Sequence, residues 1–130
     1  MKYGILFFLC ISFCAACKKE PGIGGDASIS GQVIVRDYNS TFTALIGEYP
    51  AEDVYVYLSF GDDAGFDERV KTDYNGEFKF DFLYKGEYSI YVYSDDSTLT
   101  DLNNMVAVVV PVKIEKRNEE KSLDPIIIFN

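Results

Sequence analysis

The sequence predicts an all-β protein, folded as a seven-stranded antiparallel β-sandwich. From residue 28 onward, apolar and polar residues alternate over several short segments, and this period of two is typical of strands with one face in water. Turn residues separate the segments, and no segment shows a sustained helical period. Two such sheets bury their apolar faces against each other, about 10 Å apart. A closed barrel is the structural alternative.

Residues 1–16 have the composition of a signal peptide. Lys2 supplies a positive charge, and the apolar run after it is far shorter than the roughly 20 residues needed to cross a bilayer. The small residues Ala15 and Ala16 directly precede Cys17. This arrangement resembles the lipobox of bacterial lipoproteins, although Cys14 stands where that family favours leucine. The resemblance implies that Cys17 is acylated and holds the protein at a membrane; an ordinary signal peptide or an uncleaved anchor are the alternatives.

The segment after the leader is expected to be a tether. Residues 17–27 contain proline and glycines without an apolar period, which predicts a lipidated cysteine followed by a flexible link to one domain at residues 28–130. Lys18, Lys19 and Glu20 resemble the short charged runs of Bacteroidetes-type lipoproteins. The resemblance implies a bacterial outer membrane lipoprotein that faces the periplasm or the cell surface. Solvated charge beside a membrane is the other interpretation.

The first strands are assigned from their alternation. Residues 66–72 form a weaker segment that is predicted to be a short edge strand. The pair Asn75-Gly76 follows it and predicts a hairpin, because both residues tolerate positive φ. The inward-facing residues of the alternating strands are expected to form the core, and they are Ile29, Val33, Val35, Val54, Val56, Leu58, Phe78, Phe80, Phe82, Tyr88, Ile90 and Val92.

The last two strands are more apolar than the others. Residues 105–114 are nearly continuously apolar but contain Pro111, so this strand is predicted to lie at an edge, carry a bulge or be interrupted. Residues 125–129 form the final strand. At most one short helix is expected, near residues 97–103. These strands add Val108, Val110, Ile126 and Ile128 to the predicted core.

Four segments carry turn and core residues in a family-like order. They are ISGQV (29–33), PAEDVYV (50–56), TDYNGEF (72–78) and LYKGEYSI (83–90). Together they resemble the carboxypeptidase regulatory-like or transthyretin-like (prealbumin-like) sandwich. The resemblance implies a seven-stranded antiparallel Greek-key fold and says little about function. Residues 37–49 form a longer connection than in many relatives, and their aromatic residues predict either a packed lid or a contact surface.

The residue types present limit the chemistry. The chain has no histidine, so it lacks the usual general base and transition-metal ligand. This excludes the histidine-dependent hydroxyisourate hydrolases and intradiol dioxygenases that have related sandwiches. Its formal net charge of −9 disfavours nucleic acid, and no cofactor is predicted. The protein is therefore expected not to be an enzyme.

Two groups of residues are candidates for binding. Tyr55 and Tyr57 are expected to point outward from one strand, and Tyr91 and Tyr93 from another. If the resemblance holds, the two strands are neighbours, and the four rings form one patch suited to sugar stacking or protein contact. Cross-strand support of a wet sheet face is the other interpretation of these rings. The acidic loops are weak candidates for calcium binding, because they do not follow the EF-hand spacing. Plain hydrated loops are the other interpretation. The residues concerned are Asp62, Asp63, Asp67, Asp95 and Asp96.

Three functional hypotheses follow. The first is a non-enzymatic, membrane-anchored module that binds a glycan or an envelope protein. The second is a structural spacer or accessory subunit of an envelope complex, favoured by the apolar final strands, which could pair with a partner chain. The third is a hydrolase that uses carboxylates alone, which a sandwich of this size disfavours because it seldom contains a cleft.

Overall fold

The computed structural model describes residues 20–95 and 105–130, and the described residues form nine β-strands and no helix. The all-β class predicted from the alternation is confirmed. The strands are β1 (Ile23–Tyr38), β2 (Leu45–Pro50), β3 (Tyr55–Phe60), β4 (Glu68–Lys71), β5 (Glu77–Leu83), β6 (Gly86–Asp95), β7 (Met105–Ile114), β8 (Glu120–Ser122) and β9 (Ile126–Phe129). The short helix expected near residues 97–103 lies outside the described residues.

The strands form two sheets that share one core. The five-stranded sheet is built around β1, which pairs with β2, β5, β8 and β9, and the four-stranded sheet has the order β4-β3-β6-β7. β1 pairs in parallel with β8 and β9, whereas the other pairs are antiparallel. The described residues therefore differ from the predicted seven antiparallel strands in strand number and in the two parallel pairs of β1. The described residues contain two further strands, β2 and β8, and a mixed five-stranded sheet.

Strand β1 extends further towards the amino terminus than predicted. It begins at Ile23, so the part of the expected tether from Ile23 to Ala27 is strand, and Ala27 is buried. Gly22 is also fixed, because its N–H donates to the Tyr88 hydroxyl at 3.0 Å. At the middle of β1, the Val33 N–H donates to the Gly76 carbonyl while the Val33 carbonyl accepts from the Ala51 N–H. Strands β5 and β2 therefore meet end to end along the same edge of β1.

The core lies between the two sheets and matches the predicted inward positions with one exception. Residues of β1, β5 and β9 pack against residues of β3, β6 and β7. Val54, Val108 and Val110 are partly buried against this core. Buried apolar residues that the sequence did not single out are Ala27, Ala51, Leu83, Val112 and Ile114.

The exception is Phe82, which is 68% exposed. Strand β5 pairs Phe80 with Ile29 and Leu83 with Ala27, so three steps on β5 match two steps on β1. The extra residue makes a bulge, and Phe82 takes a φ of 59° to accommodate it. The prediction that Phe82 lies in the core is wrong, because the bulge turns it outward and places Leu83 in the core.

The Asn75-Gly76 turn joins two sheets rather than two paired strands. The Gly76 N–H donates to the Asp73 carbonyl, and the Asp73 carboxylate accepts from the N–H groups of Asn75 and Glu77. Gly76 has a φ of 71°, as the sequence predicts for a tight turn. The hairpin prediction is nevertheless wrong, because β4 pairs with β3 whereas β5 pairs with β1.

The connection over residues 37–49 is largely a hairpin of β1 and β2. Tyr38 and Phe42 pack against Phe129, with ring centroids 5.8 Å and 6.5 Å from it. Leu45 and Ile46 of β2 are exposed. Packing on the sandwich, one of the two expectations for this segment, therefore occurs at Tyr38 and Phe42, whereas a contact surface at Leu45 and Ile46 stays a prediction.

Candidate functional site

The outer face of the four-stranded sheet collects aromatic side chains. Val56 and Leu58 of β3 point into the core, so Tyr55 and Tyr57 point outward by the alternation of a strand. Tyr57 pairs directly with Tyr91 across β3 and β6. The neighbouring strands and the outward direction expected from the sequence are both present.

The rings are in mutual contact. Tyr57 and Tyr91 stack with centroids 5.0 Å apart and an interplanar angle of 12°. Tyr93 packs edge-on against both, at 5.6 Å and 5.9 Å, and Tyr55 lies 6.2 Å from Tyr57. Phe66, just before β4, lies 5.0 Å from Tyr57. We refer to Tyr55, Tyr57, Phe66, Tyr91 and Tyr93 as the aromatic cluster.

The aromatic cluster is accessible, and its tyrosine hydroxyls have no partner among the residues that the structure describes. Tyr55 and Tyr93 are 37% and 45% exposed, whereas Tyr57 and Tyr91 are half-buried beneath their neighbours. Within residues 20–95 and 105–130, none of the four tyrosine hydroxyls forms a hydrogen bond. Burial raises the pKa of Tyr91, and the neighbouring Tyr93 and Tyr57 raise it further, so this hydroxyl stays protonated at neutral pH.

Two cations border the cluster on β4. The register places Arg69 opposite Tyr57 and Lys71 opposite Tyr55. The Arg69 Cζ lies 4.4 Å from the Tyr55 centroid and 5.8 Å from the Phe66 centroid, and the Lys71 Nζ lies 5.0 Å from the Tyr55 centroid. These are cation–π distances.

Sequence reasoning found the four tyrosines but missed the residues around them. Arg69 and Lys71 alternate on a segment already predicted to be an edge strand, and this spacing indicates that they share one face. Phe66 is the first residue of the predicted edge strand but precedes β4 as observed, so the alternation within β4 does not fix its direction. Its position beside Tyr57 depends on the path of the loop.

The acidic loop before β4 is held by its own hydrogen bonds. The Asp67 carboxylate accepts from the Phe60 N–H at 2.7 Å. A side-chain hydrogen bond with Asp67 raises the pKa of Asp63, and repulsion from Asp67 and Asp62 raises it further. Asp95 lies at the end of β6, and Asp96 lies outside the described residues. Among residues 20–95 and 105–130, no three acidic, cysteine or histidine side chains converge as a metal site would require.

A cavity of about 650 Å³ is lined by none of the five residues of the aromatic cluster, although Lys71, which borders the cluster, also lines it. It opens between β1, β4, β5 and β8 and contains Gln32, Asp73 and Glu77. Its polar groups are partly committed to structure, because Gln32 donates to the Asn75 carbonyl at 2.7 Å and the Asp73 carboxylate caps the turn. The Asp73 carboxylate is therefore engaged in the turn that leads into β5.

The amino-terminal predictions lie outside the described residues. Both the leader at residues 1–16 and the lipidation candidate Cys17 fall before residue 20. In the part of the chain that the structure describes, no helix has the length and apolar character of a membrane span.

Comparison with known proteins gives similarities to solved structures. No family model and no curated protein matches the sequence. One similar structure is a Pseudomonas aeruginosa protein provisionally described as carbohydrate-binding; it is 12% identical, the match covers 84% of this chain and 91% of that one, and the TM-score is 0.47. Another is an (S)-allantoin synthase, 15% identical over 82% of this chain, with a TM-score of 0.42; the match spans 42% of that enzyme. Neither similarity is close enough to support an argument about function.

Proposed function

We propose that this protein is a non-enzymatic binding module of the bacterial cell envelope, and that the aromatic cluster is its binding surface. The observation that carries the proposal is a contiguous group of rings on an exposed sheet face, with hydroxyls that have no protein partner in the described chain. Tyrosine offers a large apolar surface with a polar end at little entropic cost, which suits both glycans and protein partners.

The two-sheet architecture can be assigned to a more specific fold group. We propose that the two sheets belong to the transthyretin-like, Greek-key group, with β2 and β8 as additions to a seven-stranded frame. A fold of this group has exposed sheet faces and loops. A ligand can bind on such a surface without an enclosed active site.

The anchoring proposal places the module close to a membrane. In this proposal, Cys17 is lipidated and the protein is an outer membrane lipoprotein that faces the periplasm or the surface. The chain from Cys17 to Gly22 spans at most about 18 Å even when extended. Because Gly22 is hydrogen-bonded to Tyr88, the folded domain would be held near the headgroups. Mass spectrometry of the mature amino terminus tests this; an unmodified Cys17 would contradict it.

The binding proposal is tested by removing the stacked pair. We expect Tyr57→Ala with Tyr91→Ala to abolish both a glycan-array signal and crosslinking to partners in intact cells. Tyr74→Ala is the matched control, because Tyr74 is 75% exposed and lies outside the aromatic cluster. Thermal melting establishes that the variants are folded. If every array and crosslinking signal survives the double substitution, the cluster is not the binding surface.

A second candidate function is assembly through β7. Within the described residues, β7 pairs with β6 alone, and Met105, Val106 and Val109 are exposed along it. A long apolar edge strand is suited to pairing with a strand of another chain. Light scattering and co-purification test this role; a monomer that purifies without any partner would argue against it.

A further inference from the structure

We infer that the ligand of the aromatic cluster is an acidic saccharide, whose sugar rings lie on the tyrosines and whose carboxylate binds Arg69, with Lys71 in support. This inference rests on the proposed binding function and specifies its ligand class. It follows from the position of two cations beside the rings in a chain that is otherwise strongly acidic.

Arg69 and Lys71 place positive charge beside the aromatic cluster. In the described part of the chain, neither Arg69 nor Lys71 has a carboxylate within 4.0 Å, and the same is true of Lys85, Lys113 and Lys116, whereas Arg36, Lys79, Arg117 and Lys121 each have one. What distinguishes Arg69 and Lys71 from the other unpaired cations is their position beside the aromatic cluster. The two acidic residues that precede Arg69 form no ion pair with it in the described chain, although the charge of Asp67 contributes to the raised pKa of Tyr91. Asp67 accepts from the Phe60 N–H, and Glu68 lies opposite the core residue Leu58, on the other face of the strand.

Arg69 packs on two aromatic rings. Its guanidinium lies over the Tyr55 ring and near Phe66. A guanidinium that packs on a ring keeps its N–H donors in its own plane, free to bind a carboxylate through two parallel hydrogen bonds. The contacts to two rings also reduce the side-chain entropy that is lost when an anion binds.

The shape and polarity of the aromatic cluster favour a saccharide over an acidic peptide as its ligand. The surface is a flat sheet face, and the tyrosine hydroxyls have no protein partner in the described chain. A pyranose ring brings an apolar C–H face for the rings and hydroxyls for the tyrosine oxygens, so it can satisfy both. Peptide anchors prefer pockets that enclose a side chain.

The test uses full-length protein in detergent and three matched probes: oligogalacturonate, a neutral galactose oligomer of equal length and oligoglutamate. We expect the affinity to be highest for oligogalacturonate and to fall as salt is added. Arg69→Gln should weaken oligogalacturonate binding by about tenfold or more, with little change for the neutral oligomer. Arg69→Lys, which keeps the charge but loses the planar fork, should give an intermediate loss.

The control separates local charge from net charge. Lys113 is on β7 opposite Glu87, away from the aromatic cluster, so Lys113→Gln changes the net charge equally and should leave binding within about twofold. Equal losses for Arg69→Gln and Lys113→Gln would overturn the inference, as would binding of oligoglutamate alone or equal binding of neutral and acidic sugars. If no sugar binds but a captured protein partner depends on Tyr57 and Tyr91, the inference fails and the binding function stands.

Discussion

The Ser94 hydroxyl on β6 accepts a hydrogen bond from the Phe129 N–H on β9 at 2.8 Å, and so joins the two sheets at one end of the core. The same hydroxyl donates to the Asp95 carbonyl at 3.0 Å. Ser94 is almost fully buried, so water does not replace these bonds when they are lost.

Ser94→Ala is therefore expected to lower the free energy of unfolding by about 1–3 kcal/mol, because the Phe129 N–H loses its partner. Urea denaturation measures the loss. Ser122→Ala on the exposed strand β8 is the matched control and should change stability by less than about 0.5 kcal/mol. Equal effects for the two serines would contradict the role assigned to Ser94.

Gly76 is expected to be intolerant of a side chain. A Cβ at this position would lie 2.4 Å from the Val33 carbonyl oxygen, and its φ of 71° is itself unfavourable for alanine. Gly76→Ala should destabilise the domain by about 1–3 kcal/mol or more. Gly47→Ala on β2 is the control: its Cβ meets nothing within 4 Å, so the change in the urea midpoint should be small.

Phe82 should be dispensable, in contrast to its neighbour Phe80. Phe82→Gly removes an exposed ring from a left-handed conformation and should leave the free energy of unfolding unchanged or raise it by about 1 kcal/mol. Phe80→Ala removes a buried ring and should cost about 3–5 kcal/mol. A large loss for Phe82→Gly in urea denaturation would show that Phe82 is packed.

Stability should decline in alkali because of Tyr88. Burial raises the pKa of Tyr88 above its ordinary value of about 10, against the opposing effect of hydrogen bonds to Gly22 and Tyr84. Because the folded-state pKa is the higher one, this contribution is complete below pH 10 and is lost as the pH rises through the folded-state value.

Urea midpoints measured from pH 8 upward test this linkage. Tyr88→Phe should be less stable at neutral pH, because the Gly22 N–H loses its partner, yet its midpoint should fall less steeply in alkali. The exposed Tyr74→Phe should keep the wild-type slope. Identical slopes for all three proteins would mean that Tyr88 does not govern the alkaline decline.

The alternation of apolar and polar residues predicted the features that depend only on residues close in sequence. It placed Tyr57 and Tyr91 on outward faces, and it assigned most of the core because a strand that is wet on one side must bury every second residue. It could not place Phe82, because the bulge that shifts β5 arises from pairing with β1. The positive φ predicted for the turn at Gly76 is observed. The alternation could not predict that β4 pairs with β3 and β5 with β1, because tertiary contacts decide which strands pair.

The candidate site shows the same division. Tyr55, Tyr57, Tyr91 and Tyr93 could be listed from the sequence, and their adjacency required only that two strands be neighbours. The contacts of Arg69 with Tyr55 and Phe66 required the register of an edge strand and the path of a loop. Short segments such as β8 have too few residues to show a period at all.

The parallel pairing of β9 with β1 has a consequence for how the molecule is made. Residues at opposite ends of the domain are bonded neighbours, Ile126 beside Val33 and Ile128 beside Val35. A chain in which β9 has not yet paired lacks Ile126 and Ile128 in its core. Pairing of residues that lie far apart in sequence is slow. Completion of the five-stranded sheet therefore depends on contacts between residues that are distant in sequence, and this part of the fold is expected to form late.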